Sequence, residues 1–423
     1  MIMLLRTLLR SSAATYVVPF LVVFVLIALG NDLTAWTTDH YWPSATANST
    51  YAQPFVFTTC AALGAWEGAR LARGRVFNQA STRSALGITA PILAPVVAGG
   101  VIAAFAALFL SASSADPGLG IPDLRVLGVE LLLLIANTLV GHCIGRRWPA
   151  VISVPVVLVG AFICNAYPVT WSVLWVRHIV GAGLRNCCAV DQVMDPRALW
   201  SPAAFAVGLA LACIVLINCR TSLRAAALAL ALLMAGAGTA AVVAYGLKAD
   251  PVLARPNADL ICRSQGGVSV CLWPEVRDAD RIHSETGKVI KALTTAGVFT
   301  PTGFTMAASP APSEAKLGIL PNAQAQDIPA GVVLGMMPPP PACASTSPYP
   351  AVTARAPVAA WLLLTSGSPA DAVIQQTGPA AAAVAQKVRQ LPQEAQLTWY
   401  QFNVRAMKTC MSKPQLVPIG GAL

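Results

Sequence analysis

The sequence predicts an all-α polytopic membrane bundle of about six or seven transmembrane helices, followed by a small α+β domain outside the membrane. Of its 423 residues, 56% are hydrophobic and only 11% are charged, whereas about a quarter of the residues in soluble domains are charged. So apolar a chain is neither an ordinary soluble enzyme nor a disordered protein. Long apolar runs occur only in residues 1–246, so this part of the chain is expected to lie in lipid.

Seven apolar runs are candidate membrane spans, because a helix needs about 20 mostly apolar residues to cross the hydrocarbon core. The runs lie at about residues 13–30, 52–69, 88–112, 126–145, 149–168, 202–219 and 225–246. The second run is the least apolar, since it contains Pro54, two threonines and Glu67. The first run is flanked by arginines and small residues, as a signal peptide is. It is longer than the apolar region of a signal peptide and more spans follow it, so we expect an uncleaved membrane anchor.

The leader Met1–Ser12 precedes the first span. Helical spacing in this segment places leucines opposite Arg6 and Arg10. That pattern is typical of a short amphipathic helix lying in the membrane interface. The alternative is that the leader simply extends the first span.

Arginines predict the orientation of the bundle. They precede the first span, follow the second, and lie between the fourth and fifth and between the sixth and seventh: Arg6, Arg10, Arg70, Arg73, Arg75, Arg83, Arg146, Arg147, Arg220 and Arg224. The alternate loops are longer and contain only Arg125, Arg177, Arg185 and Arg197. Since cytoplasmic loops are enriched in Lys and Arg, we expect a multi-pass protein of the cell membrane, with a cytoplasmic N-terminus and an extracytoplasmic C-terminal domain.

Residues 247–411 are predicted to form the extracytoplasmic domain, and residues 412–423 a flexible tail. All the lysines of the chain lie after residue 247. Prolines and apolar periodicity predict helices at Arg277–Ala296, Pro357–Ser366, Ala370–Gln376, Ala380–Leu391 and Gln393–Met411. Strands are predicted at Val268–Trp273, Gly303–Ala307 and Gly331–Met336.

Four of the eleven cysteines fall in this domain: Cys262, Cys271, Cys343 and Cys410. An even number in an oxidising compartment predicts two disulfides, for which three connectivities exist. Cys262 and Cys271 flank the turn-like stretch Gln265-Gly266-Gly267 and are expected to pair, which leaves Cys343 with Cys410. Zinc binding is the rival explanation, but the spacings are not those of zinc motifs, and the domain has a single histidine.

Motifs of the common catalytic sites are missing from the sequence. His283 and Glu285 form an H-x-E, but no P-C-x-x-C follows. Neither HExxH, nor a GxxxxGK[ST] phosphate loop, nor GxSxG occurs. We therefore predict no catalytic, cofactor-binding or metal-binding residue and do not expect an enzyme. Nucleic acid is not an expected partner either, because no basic stripe is interleaved with aromatic residues.

Two acidic residues fall inside the predicted spans. Glu67 lies near the end of the second span, and Glu130 lies about one turn into the fourth. Ionisable groups in a membrane segment suggest a substrate path or a partner on another helix. The alternative is that both carboxylates reach the headgroup region, since both are near span ends.

Residues 1–246 resemble the permease subunits of type-2 ABC exporters, most closely those of actinobacteria. The resemblance rests on the leader, a second span ending in Trp66-Glu67-Gly68-Ala69-Arg70, an arginine-rich turn, and a third span opening near Pro91. The apolar stretch Trp171–Val180 is similar to the re-entrant exterior helices that precede the sixth span of such permeases. A seventh span departs from the family's six. The domain that follows, with Cys271-Leu272-Trp273-Pro274-Glu275, resembles an extracytoplasmic module of actinobacterial membrane proteins.

The resemblance implies a transport path in this chain and ATP hydrolysis in a separate ABC ATPase subunit. Residues Arg70–Gly87 would form the loop that contacts this ATPase, with Arg70, Arg73, Arg75 and Arg83 as candidate contacts. Two permease chains would assemble as a homodimer or heterodimer, and the extracytoplasmic domain would gate the path or bind a ligand or partner. The alternative function is a non-transporting sensor or accessory protein, anchored in the bilayer by its spans.

Overall fold

The computed structural model describes residues 12–76, 84–118, 120–219, 222–265, 267–345 and 349–417. The chain divides into two compact units, Met1–Leu253 and Ala254–Leu423. The first unit is almost entirely helical, and the second combines helices with a small sheet. Several predicted features lie outside the described residues: residues 1–11 of the leader, residues 77–83 of the predicted ATPase-contact loop with Arg83, the loop residue Arg220, and residues 418–423 of the tail.

The helices of the first unit are α1 (Ala14–Ala28), α2 (Gly30–Ala35), α3 (Trp42–Ser49), α4 (Gln53–Arg73), α5 (Ala85–Ala115), α6 (Leu124–Gly145), α7 (Ala150–Ala166), α8 (Pro196–Asn218) and α9 (Leu223–Ala244). Single 3₁₀ turns occur at Thr50–Ala52, Tyr167–Thr170, Leu174–His178 and Leu184–Asn186. The short strand β1 (Gln192–Met194) pairs with β2 (Val252–Ala254).

Five helices in the described part of the chain are long and apolar enough to cross a membrane. They are α5, α6, α7 extended through its 3₁₀ turn to Thr170, α8 and α9. The prediction of six or seven spans is therefore too high by this criterion. The first predicted span corresponds to α1, which has 15 residues. A helix of that length rises only about 22 Å, which is less than the hydrocarbon core.

Helix α4 fails the same criterion for a different reason. With 21 residues it is long enough, but polar side chains lower its hydropathy. Gln53, Thr58 and Glu67 are all buried against neighbouring helices rather than exposed on the surface of the unit. Helix α4 packs extensively on α6 and α7, so its polar groups are sheltered by the protein itself.

Glycines bring α4 and α6 together. An added Cβ on Gly64 would overlap the carbonyl oxygen of Thr138, and one on Gly141 would overlap that of Ala61. Each helix carries a second glycine of this kind one turn on, Gly68 and Gly145. Small residues let helix backbones approach closely in a membrane, where packing rather than hydrophobicity holds helices together. This crossing is the centre of the first unit.

The arginine-flanked helix termini meet at one end of the bundle. The end of α6 contacts the end of α8, where Arg146 Nη1 donates to the carbonyl oxygen of Ile217 at 3.0 Å. The start of α5 meets the same place, since the Leu86 amide donates to Asn218 Oδ1 at 3.2 Å. Because α4 and α6 run side by side in the same direction, the end of α4 lies here too. We call this the arginine end; it carries Arg70, Arg73, Arg75, Arg146 and Arg147.

The loops at the opposite end are joined by hydrogen bonds over long sequence distances. Tyr41 Oη donates to the carbonyl oxygen of Gln192 at 2.7 Å. His178 Nε2 donates to the carbonyl oxygen of Lys248 at 2.7 Å. The segment after α9, which leads towards the second unit, therefore leaves the bundle at the end opposite the arginines.

The second unit contains β3 (Ile261–Gln265), β4 (Val268–Leu272), β5 (Gly303–Thr305) and β6 (Glu314–Lys316), in the sheet order β3-β4-β5-β6. Its helices are α10 (Ala279–Thr295), α11 (Ile328–Met336), α12 (Arg355–Thr365), α13 (Ala370–Thr377), α14 (Pro379–Arg389) and α15 (Gln393–Met407). Further 3₁₀ turns lie at Asn257–Asp259, Ala342–Ser345 and Pro350–Ala354. Strands β3 and β4 form an antiparallel hairpin, and β5 and β6 are added in parallel.

Most predicted elements of this unit match the observed ones within a few residues, but one is wrong. The stretch Gly331–Met336, predicted as a strand, forms the last six residues of α11. Apolar runs of this length are compatible with either a strand or a buried helix. Pro329 near the helix start favours the helix, since its fixed φ suits the first turn.

The core of the second unit is built from aromatic and aliphatic side chains of its sheet and its helices. Trp273, Phe304 and Trp361 are among its largest fully buried residues. Helix α10 buries the apolar face predicted for it, including Val289 and Leu293.

Candidate functional site

A buried carboxylate joins the first helix to the arginine turn. Glu67, near the end of α4, is 0% exposed. Its Oε2 pairs with Arg70 Nη2 at 2.8 Å, one turn further along the same helix. Its Oε1 accepts hydrogen bonds from the Ala13 amide at 3.2 Å and from Ser12 Oγ at 3.4 Å. One side chain thus contacts both the entry to α1 and the exit from α4.

This contact completes the start of α1. The N-cap residue Ala13 offers no side-chain hydrogen bond of its own. The first amides of a helix have no intrahelical partner, and a negative charge near them is favourable. Glu67 supplies both the acceptor and the charge from a different helix. Ser12 adds to the arrangement, because its Oγ also accepts from the Ala14 amide at 3.3 Å.

The arginine turn begins directly after this site. Arg73 and Arg75 are exposed, and Arg75 has a left-handed backbone with φ of 48° where α4 has ended. Both side chains are available to a partner, whereas Arg70 is held by Glu67. Arg83, the fourth predicted contact, lies outside the described residues. Through Glu67, the start of α1 and the last turns of α4 are linked by one buried side chain.

Glu130 occupies a separate site on α6. It is 6% exposed, and its Oε1 accepts from Gln53 Nε2 of α4 at 3.3 Å. A second polar contact in the bundle joins Asn165 Nδ2 of α7 to Asn137 Oδ1 of α6 at 3.1 Å. Neither of these two hydrogen-bonded pairs was predicted from the sequence, although polar residues inside apolar runs were the available signal.

The loop between α7 and α8 differs from its prediction. The stretch Trp171–Val180, expected to resemble re-entrant helices, forms the single 3₁₀ turn Leu174–His178 with irregular flanks. Arg177 and His178 at its end are buried. Burial lowers the pKa of His178, against an opposing effect of its hydrogen bond to Lys248. The stretch is therefore an irregular loop segment anchored by the buried Arg177 and His178, and it is not an independent helix pair.

The four cysteines of the second unit lie at disulfide distance in the two predicted pairs. Cys262 and Cys271 face each other across the β3–β4 hairpin, with Cα atoms 4.0 Å apart. Cys343 and Cys410 connect the segment after α11 to the end of α15, with Cα atoms 6.0 Å apart. These separations are close to or within the usual range for disulfides.

A groove of about 580 Å³ lies beside the second of these pairs. Phe299, Pro338 and Tyr400 give it apolar walls, and its charged lining residues are Glu314, Arg405 and Lys408. In the sequence, Cys343 follows the lining residue Pro339, and Cys410 follows the lining residue Lys408. The volume is in the range of small-molecule sites.

Comparison with known proteins assigns no activity. A family model described as "Domain of unknown function (DUF7224)" matches residues 270–410, all within the second unit. No curated protein and no solved structure matches the chain. The matched segment runs from β4 to Cys410 and so contains both cysteines of the Cys343–Cys410 pair. The second unit is thus similar to a domain family whose function is unknown, and the first unit is described by its own geometry alone.

Proposed function

We propose that this protein is the membrane-spanning, permease-like subunit of an ATP-driven exporter of the type-2 ABC class. The observation that carries the proposal is the contact of Glu67 with Arg70, Ser12 and Ala13. It ties the segment that leads into the first helix to the turn that bears Arg73 and Arg75. An ATPase subunit that pressed on either segment would move both.

The physical basis of this coupling is the burial of Glu67. A carboxylate that is 0% exposed cannot exchange its partners for water. Breaking the pair would leave the buried carboxylate without its charged partner, although the 36% exposure of the Arg70 side chain lets water screen the attraction. The contact therefore transmits displacement instead of yielding to it.

The distribution of charge supports the membrane orientation that the proposal requires. The arginine end carries the exposed Arg73 and Arg75, and the segment after α9 departs from the other end. By the positive-inside rule the arginine end is cytoplasmic, where ATP is available. The second unit is then extracytoplasmic, in an oxidising compartment where its cysteine pairs are stable.

Two further partners follow from this function. The chain carries no phosphate-binding loop in its sequence, so a separate ATPase subunit supplies hydrolysis. A second permease chain, identical or related, completes the transport path as in the exporters that residues 1–246 resemble. The second unit then gates the outer opening or receives the exported molecule.

Isolation of the intact complex from its native membrane tests the proposal. We expect a stoichiometric ATP-binding subunit and two permease chains in the purified particle, measured by native mass spectrometry. Replacing Arg73, Arg75 and Arg83 by glutamine is expected to release the ATP-binding subunit. The matched control replaces Arg125 and Arg197, two exposed arginines that pair locally with aspartates, and should release nothing.

The same experiment distinguishes the exporter from the alternative function. A non-transporting sensor or accessory protein would be isolated without an ATP-binding subunit. The arginine turn would then be only a topology signal, and its substitution would leave the particle unchanged. That pair of results would overturn the exporter proposal.

A further inference from the structure

Glu130 is a buried carboxyl group that the proposed coupling does not use. It belongs to α6, and its Oε1 accepts a hydrogen bond from Gln53 Nε2 at 3.3 Å. Within the described part of the chain it forms no ion pair. A lone carboxylate among apolar helices is costly, unless it is protonated or a cation compensates it.

A cavity of about 220 Å³ lies between α4, α5 and α6, with Glu130 in its wall. The rest of its lining is apolar and includes Phe57, Val101 and Leu134. Phe105 and Leu131 also line it and are 56% and 41% exposed, so the cavity opens on the outer surface of the helices. In a bilayer this surface faces the hydrocarbon chains, because α5 and α6 are both long and apolar enough to span.

The position of Glu130 along α6 indicates what shape of ligand the cavity can accept. It is six residues beyond Leu124, the first residue of α6, which is about 9 Å along the helix. A charge at that depth lies near the boundary of the hydrocarbon core rather than at its centre. Leu134 continues the lining one turn deeper. A ligand with its charge near the interface and its apolar body directed inward matches both features.

The size of the cavity limits what it encloses. Sites for complete drug-sized molecules usually have volumes of about 300–1,000 Å³. The cavity therefore encloses a compact charged head and the first part of an apolar chain, while the remainder of the chain lies among the lipids.

We propose that this cavity binds a membrane-dissolved monocationic amphiphile, an alkylammonium compound, with its ammonium group against the Glu130 carboxylate. The ligand neutralises the buried charge, and its chain covers the apolar lining that opens to the lipid. If the chain is an exporter, this is the class of substrate it takes from the membrane; that extension rests on the proposed function, whereas binding does not.

Binding of decyltrimethylammonium to the purified full-length protein in phosphatidylcholine nanodiscs tests the proposal. We expect saturable binding of the tritiated compound, displaced by the unlabelled compound but not by decanol or decanoate. Glu130→Gln keeps the shape and an acceptor for Gln53 but removes the charge, and should weaken binding at least tenfold. Glu130→Asp should retain most of the affinity, and Ala104→Phe, which fills the cavity, should weaken binding with the carboxylate intact.

Three outcomes would overturn the proposal. One is equal binding by the wild type and Glu130→Gln. Another is displacement by decanol as effective as that by the cation, which would make the cavity a groove for lipid chains. The third is photo-crosslinking of a diazirine alkylammonium to wild-type protein at sites away from α5 and α6; this measurement needs no variant to fold. All of these measurements are made without ATP, so they fail independently of the exporter proposal.

Discussion

The two units of this protein hold their helices together by different means. In the first unit, α4 and α6 approach backbone to backbone at glycines, and buried polar groups such as Glu67 join elements far apart in the sequence. In the second unit, a core around Trp273 and Trp361 is reinforced by cysteine pairs. The first arrangement suits lipid, where apolar burial between helices gains little. The second suits water, where burial of apolar surface drives folding.

This difference predicts which perturbations each unit resists. The second unit should depend on its cross-links and tolerate small changes of helix packing. The first unit should depend on the absence of side-chain atoms at particular glycines. For the stability of this unit, the buried carboxylate of Glu67 should matter through its specific partners rather than through its charge alone.

Loss of the Cys343–Cys410 cross-link should have the largest effect. It closes a loop with a sequence separation of 67 residues, whereas Cys262–Cys271 closes one of 9. The chain-entropy relation gives stabilisations of about 4.4 and about 2.7 kcal/mol, respectively. Replacing each pair by serines in the full-length protein and measuring amide exchange in α15 and in β4 checks the order.

Mass spectrometry of the unreduced protein provides the control for that comparison. It should show two cross-links in the second unit, joined as Cys262–Cys271 and Cys343–Cys410. Four free thiols in this unit would contradict the account of how it is stabilised.

The substitution Gly141→Ala, which adds a methyl group, should have the next largest effect on stability. Its Cβ would overlap the carbonyl oxygen of Ala61, so α4 and α6 must separate. Overpacking of this kind costs about 1–3 kcal/mol. The matched variant is Gly160→Ala in α7, where nothing lies within 4 Å of the added atom.

We expect Gly160→Ala to be neutral or slightly stabilising, since alanine has the higher helix propensity. Thermal unfolding of both variants in the same detergent measures the difference. Equal unfolding temperatures would show that the glycine crossing is not what holds the bundle together.

Substitution of Glu67 should lower the stability of the bundle less than the added methyl group at Gly141 does. Its effect should be local to the first turn of α1. Glu67→Ala removes the acceptor for the Ala13 amide and the partner of Arg70. Net hydrogen-bond contributions are about 1 kcal/mol each, and partial exposure of Arg70 screens the ion pair. Faster amide exchange in the first turn of α1 is the expected signature. Glu67→Gln keeps an acceptor for the Ala13 amide and should restore part of the protection from exchange. If amide exchange in the first turn of α1 is unchanged in both variants, Glu67 does not link the start of α1 to the arginine turn.

The smallest effect is expected from His283 in α10. It is 4% exposed, and burial, together with nearby Arg263, holds the pKa of His283 below its ordinary value. Asp280 opposes this shift in part. Below a pH of about 6.5 the unfolded chain binds a proton that the native histidine does not, so stability falls as the pH falls. Above that pH the residue contributes nothing to the pH dependence.

Amide exchange of α10 at pH 7.5 and at pH 5.5, corrected for the intrinsic rate, measures this dependence. His283→Gln should show a smaller loss of protection on acidification than the wild type. Identical losses in the two proteins would mean that His283 is not the group responsible.

The sequence predicted the helices of the second unit well because prolines mark where several of them begin. Helices α14 and α15, for example, start at or directly after Pro379 and Pro392. The hairpin that joins Cys262 to Cys271 could also be predicted from the sequence, since the intervening glycines favour a turn. Helix α11 was missed because an apolar stretch of a few residues has no periodicity that distinguishes a helix from a strand.

The candidate site was only partly accessible from the sequence. Glu67 and Glu130 stand out because carboxylates are rare in apolar runs. Their partners do not stand out, because Ala13 is separated from Glu67 by 54 positions and Gln53 from Glu130 by 77. Contacts over such distances depend on the packing of whole helices. The low hydropathy of α4 was visible in the sequence, but its shelter between α6 and α7 was not.

The rate of ATP hydrolysis by the purified complex tests the central claim most directly. We expect a copurified ATPase subunit whose hydrolysis in nanodiscs falls severalfold when Arg73, Arg75 and Arg83 are replaced by glutamine. Replacement of Arg125 and Arg197 at the opposite end of the bundle should leave the rate unchanged. Recovery of the chain without ATPase activity, or a rate indifferent to the arginine turn, would contradict the proposal that this bundle is driven by ATP from its arginine end.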